Sequence, residues 1–222
     1  MAAAPIFEGE VDLHVPDAGK PCRTWYKVLG KLDKPTLIGL HGGPGAGQAY
    51  LSPLYDVYND CGIPIVTYDQ IGCGRSTHFP EKMGDASFWT VELFVKELEN
   101  LIEHLGLREK GFYLFGQSWG GILGGVYAAS APSGLKKLIL ASAPSSMPLY
   151  AKGCKELVSQ LPEDVRKIIE DCERRGDYES PEFEQASGVF YARHFCRMDP
   201  MPEDIQLCFQ NVKEDPTAYM TM

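Results

Sequence analysis

The chain of 222 residues carries 21 lysines and arginines against 30 aspartates and glutamates, a formal net charge of −9, with 44% hydrophobic residues. That composition is ordinary for a globular protein with a sizeable core, either one large domain or one domain plus an insert. It lacks the basic face of a nucleic-acid binder, and no run approaches the ~18 apolar residues of a membrane span. Neither nucleic acid nor membrane is an expected partner.

Residues 6–14 and 22–29 read as strands around a Pro16-Asp17-Ala18-Gly19 turn. Short apolar runs at 35–40, 63–68, 112–115 and 137–141, bounded by Gly and Pro, suit strands buried on both faces of a parallel sheet. Helical patterns lie between them. In 87–105 the apolar positions step by three and four, with Gly106 as a C-terminal cap, and 119–130 forms a glycine-rich helix that packs closely on the sheet. Strands alternating with helices imply an α/β fold. From Pro144–Pro148 onward the pattern is helical and punctuated by prolines, over about 149–160, 162–175, 181–195 and 202–213.

The charge is uneven: residues 1–146 carry 15 acids and 12 bases, and 147–222 carry 15 acids and 9 bases. A solvated helical surface explains the acidic second half; a site for a cationic amino group is the alternative. The seven cysteines show no zinc-ligand or redox spacing, so no metal or cofactor is expected. The N-terminus lacks a basic segment followed by an apolar stretch. A reducing, cytoplasmic setting fits, with the cysteines as small buried hydrophobes.

Gly116-Gln117-Ser118-Trp119-Gly120 follows the strand at 112–115 and opens the helix at 119–130. That is the context of a nucleophile elbow, which holds a serine on a strained turn with small residues two positions either side. His41-Gly42-Gly43-Pro44-Gly45 follows the strand at 35–40. Acyl transfer needs preorganised N–H donors, and the two loops would supply them from Gly43 and Trp119. His41 could serve as a base; the favoured reading is a loop anchor acting through side-chain hydrogen bonds. In Asp69-Gln70-Ile71-Gly72-Cys73-Gly74-Arg75-Ser76 the glycines mark a tight turn, and an Asp69–Arg75 ion pair would shape the pocket wall.

Together HGGPG at 41–45, DQIGCGRS at 69–76 and GQSWGG at 116–121 resemble the proline iminopeptidase family, serine peptidases that release an N-terminal residue, usually proline. YARHFCRMDPMP at 191–202 is similar to that family's cap, especially in fungal members. The resemblance implies an α/β-hydrolase fold: a mostly parallel sheet with flanking helices over 1–146, and a helical cap over 147–222. It implies Ser118 as nucleophile, Gly43 and Trp119 as oxyanion-hole donors, and His41 and Gly42 beside the substrate, a small peptide or amino-acid amide. No cofactor is implied. An amidase or esterase of small amino-acid derivatives is the near alternative. A non-catalytic remnant that binds a ligand or partner is the distant one.

The family's triad Asp and His follow the cap on core strands, whereas this sequence reaches Met222 within what reads as the cap. His14, His41, His78 and His104 read as structural, and His194 precedes Asp199, Asp204 and Asp215 in reversed order. The expectation is a C-terminally truncated member, either a fragment or a pseudoenzyme. It would lack the last core strands, the triad partners and an assignable specificity glutamate, and would be nearly inactive alone. Strand 137–141 would then be an open edge prone to self-association.

Overall fold

The computed structural model describes residues 6–222. Strands β1 (Ile6–Leu13) and β2 (Cys22–Leu29) pair antiparallel around the expected turn, where Asp17 and Gly19 take φ of 61° and 68°. β3 (Thr36–Leu40) leads through a 3₁₀ turn at Ala49–Leu54 into α1 (Tyr55–Cys61) and β4 (Ile65–Tyr68). Every residue of β3 and β4 is buried, as strands covered on both faces must be.

Helix α2 (Val91–His104) begins at its cap, where the Thr90 side chain accepts the Leu93 N–H at 3.3 Å. The pattern at 87–90 belongs instead to a turn, in which Asp85 Oδ1 accepts the N–H groups of Ser87 and Phe88, each at 3.2 Å. Short α3 (Leu107–Lys110) precedes β5 (Phe112–Gln117), then α4 (Trp119–Ala129) and β6 (Leu135–Ala141).

The six strands are ordered β1-β2-β4-β3-β5-β6, parallel from β4 to β6 and antiparallel at the β1–β2 hairpin and its join to β4. Alternation along β3 feeds two cores. Ile38 and Leu40 join Val66, Tyr68 and Leu114 under Phe94, Leu98 and Leu101 of α2 and Leu123 of α4. Leu37 joins Leu29 and Ile65 under Leu54, Tyr55 and Val57. β6 ends the sheet among the described residues, and its Ile139 and Leu140 are 47% and 57% exposed.

The chain divides into two compact units: one runs to Ala143 and resumes over Asp204–Met222, and the other is Pro144–Glu203. The second contains α5 (Met147–Ser159), α6 (Glu163–Arg175) and α7 (Pro181–His194), around a small core of Leu161, Ile169 and Ala186. Helices α8 (Glu203–Glu214) and α9 (Thr217–Thr221) follow. The sequence reading assigned all of 147–222 to the helical layer, but 204–222 clusters with the sheet. Asn211 Nδ2 donates to the Ala46 carbonyl at 3.0 Å, Asp215 Oδ2 meets His78 Nδ1 at 2.6 Å, and Thr221 Oγ1 accepts the Gly84 N–H at 2.9 Å. Helical periodicity shows that a face will be covered, not by which neighbour. Among the described residues no helix is long and apolar enough to cross a membrane.

Candidate active site

Three adjacent parallel strands, β4, β3 and β5, each run into one of the three glycine-rich motifs. Strand order therefore sets segments 69–76, 41–45 and 117–120 side by side at the carboxyl edge of the sheet, the edge where open α/β sheets bind ligands.

Ser118 is the hinge between β5 and α4, with φ 54° and ψ −122°, a conformation that L-residues avoid. Backbone bonds enforce it: Ser118 N–H donates to Ala141 O at 3.0 Å, and Ser118 O accepts from Gly121 and Ile122 at 2.9 and 3.2 Å. A Cβ on Gly120 would overlap the Leu40 carbonyl and lie 2.7 Å from His41 O, so helix α4 starts directly against β3 only because that position is glycine. The 41–45 loop touches the elbow. A Cβ on Gly42 would stand 3.2 Å from Ser118 Cβ and 2.9 Å from Gln117 Oε1.

Gly43 has φ 115°, and a Cβ there would sit 2.6 Å from Gly45 N. The Gly42 N–H donates to the Tyr50 hydroxyl at 2.6 Å, and that hydroxyl donates to Gln117 Oε1, also at 2.6 Å. The N–H of Gly42 is thereby occupied. The N–H of Gly43 is taken by no hydrogen bond among the described residues, and Trp119 is the first residue of α4, where backbone N–H groups lack intrahelical partners.

His41 is wholly buried. Its Nδ1–H donates to Gly42 O at 2.8 Å and its Nε2 accepts the Gln70 N–H at 2.9 Å. Burial pushes the imidazole pKa down, so the ring stays neutral with its one lone pair already in use. It has the geometry of a loop anchor. Two other histidines are also committed: His78 Nδ1 to Asp215 and Nε2 to Gly74 O at 2.9 Å, and His104 Nε2 to the Tyr26 hydroxyl at 3.0 Å.

Asp69 and Arg75 form no side-chain ion pair. Asp69 Oδ2 accepts the Arg75 backbone N–H at 3.0 Å, and Oδ1 accepts the Gln48 N–H at 2.9 Å. The Arg75 guanidinium turns outward to Glu8 Oε2 at 2.8 Å and stands 4.5 Å over the Trp25 ring. A carboxylate folded into a tight turn is satisfied by the nearest amides, which frees the long side chain for the surface.

Glu97 of α2 carries no sequence signal, yet it is fully buried beneath the 69–76 loop. Its Oε1 accepts the Thr24 hydroxyl at 2.6 Å and the Ile71 N–H at 2.8 Å. Burial pushes its carboxyl up to about 8. Tyr50 and Gln70 are likewise parts of the site that spacing alone did not single out. Among the described residues no group of three His, Cys, Asp or Glu side chains could hold a metal ion.

The family described as "alpha/beta hydrolase fold" matches residues 35–218. The proline iminopeptidase of Lactobacillus delbrueckii subsp. lactis is 35% identical over 202 residues, 90% of this chain and 66% of that protein. The crystal structure of VinJ superposes with a TM-score of 0.88 at 41% identity, covering 96% of this chain and 70% of that one. That of the proline iminopeptidase of Mycobacterium smegmatis gives 0.79 at 34% identity, covering 95% and 69%. The chain thus spans about two thirds of its relatives' length. With its parallel sheet, its strained Ser118 and relatives that include proline iminopeptidases, the chain belongs to the α/β-hydrolase family.

Proposed function

We propose that this chain is a serine hydrolase of the proline iminopeptidase type, which releases an N-terminal residue such as proline from small peptides or amides. The carrying observation is Ser118 at φ 54° with its Cβ against the Gly42 backbone and the Gly43 loop alongside. In this reading Ser118 Oγ attacks the scissile carbonyl, and the N–H groups of Gly43 and Trp119 receive the developing oxyanion. The amine leaves, and water hydrolyses the acyl-enzyme. His41 and His78 do not serve as the general base in this reading, because both ring nitrogens of each are held elsewhere. With no base set beside Ser118, the donors and binding alone would make these residues a weak catalyst. All seven cysteines are free, which fits a cytoplasmic setting.

The test is hydrolysis of a Pro-arylamide by the 222-residue protein beside Ser118→Ala. Turnover several decades below that of a full-length relative, and lost in the variant, supports the reading. Turnover that Ser118→Ala leaves untouched overturns it.

A further inference from the structure

Gln70 is completely buried and bonded on every polar atom. Its backbone N–H donates to His41 Nε2 at 2.9 Å, its side-chain Nε2 donates to His41 O at 3.0 Å, and its Oε1 accepts the Trp119 indole Nε1–H at 2.9 Å. The amide orientation is unambiguous, because an indole N–H can only donate and a carbonyl can only accept. One planar side chain from the loop after β4 thus holds the carbonyl one residue before Gly42 and the ring of the first residue of α4. These are the two backbone segments that carry Gly43 and Trp119. Tyr50 braces the same gap from another side, linking the Gly42 N–H to Gln117.

We infer that Gln70 is a positioning residue that sets the separation of the two oxyanion-hole donors, Gly43 N–H and Trp119 N–H, without touching substrate. The planar amide presents a donor to the His41 carbonyl and an acceptor to the Trp119 indole at a fixed separation. In the buried site, removing it strands a carbonyl and an indole N–H together. Donors aimed at a developing charge lose their effect with small displacements: about 1 Å can cost about 100-fold.

The inference rests on the proposed role of Ser118, and its test separates the two. The probe is the boronic acid analogue of proline. The serine oxygen bonds to the probe's trigonal boron and the serine hydroxyl proton passes to solvent, making a tetrahedral anion with an oxygen where the oxyanion would lie. The comparator is prolinol, which cannot form that adduct. Binding is read by calorimetry and boron coordination by ¹¹B NMR, in wild type, Ser118→Ala, Gln70→Ala and Gln70→Glu.

The expected result is an adduct in wild type that is absent in Ser118→Ala, and weakened by about 10- to 100-fold in Gln70→Ala with prolinol affinity unchanged. Gln70→Glu keeps the acceptor for Trp119 but turns an oxygen toward His41 O, and should fall between the two. It replaces Gln70→Ala if the latter does not fold. A wild-type adduct of equal strength in the Gln70 variants overturns the positioning role alone, as does an equal loss of boronate and prolinol binding. No adduct in wild type, or one that survives Ser118→Ala, overturns the role of Ser118 and this inference with it.

Discussion

Glu97 Oε1 accepts the Ile71 N–H at 2.8 Å, so a carboxyl group with no exposed surface supports the loop that carries Gln70. Its second oxygen has no partner among the described residues, nor has the buried Tyr68 hydroxyl. Burial holds the Glu97 pKa at about 8, against about 4.3 in an unfolded chain. The folded state keeps a proton that the unfolded chain releases. The corresponding stability is full below the unfolded value and is lost as pH rises through about 8. Glu97→Gln, which imitates the protonated form, is expected to flatten this dependence. In thermal melts the wild type should lose stability between pH 6 and pH 9. The variant should hold it and melt higher at pH 9.

Asp69 closes its own loop through the Arg75 N–H and ties it to the Gln48 N–H at the start of the 3₁₀ turn. Asp69→Asn keeps one acceptor and points an NH₂ group at the other amide. The expected cost is about 1–3 kcal/mol in urea unfolding. Arg75→Ala should cost far less, since its Glu8 pair is exposed.

Ser118 carries a backbone conformation that glycine adopts freely. Ser118→Gly is expected to be more stable than Ser118→Ala by about 1 kcal/mol, the released strain less the added chain entropy. Denaturant midpoints of the two inactive variants measure it.

Strand β6 presents Ile139 and Leu140 at an edge whose lysines, Lys136 and Lys137, both lie at its start. Concentration-dependent association through this edge is expected in sedimentation, and Ile139→Lys should suppress it without a change in melting temperature. A wild-type monomer at all concentrations would show the edge to be covered.

The fold was legible because its signals are local. Gly116-Gln117-Ser118-Trp119-Gly120 between a strand and a helix can hardly sit elsewhere than at an elbow, and the β3 and β4 runs can only be interior strands. The braces were not legible. Gln70, Tyr50 and Glu97 act through partners as far as 73 positions away along the chain, and a polar residue on an amphipathic helix looks the same whether water or Thr24 meets it. Asp69 shows the opposite failure. Opposite charges six residues apart suggest a salt bridge, but the backbone amides were nearer.

The return of Asp204–Met222 to the sheet unit has a consequence for how the protein is made. Synthesis delivers Ala46, His78 and Gly84 early, whereas Asn211, Asp215 and Thr221, which bond to them, arrive later. At about 5–20 residues per second, translating the intervening stretch 144–203 takes roughly 3–12 s. Throughout that interval the nascent sheet unit lacks the partners of these positions. The sheet unit is therefore synthesised in two instalments, with the whole of the other unit translated between them.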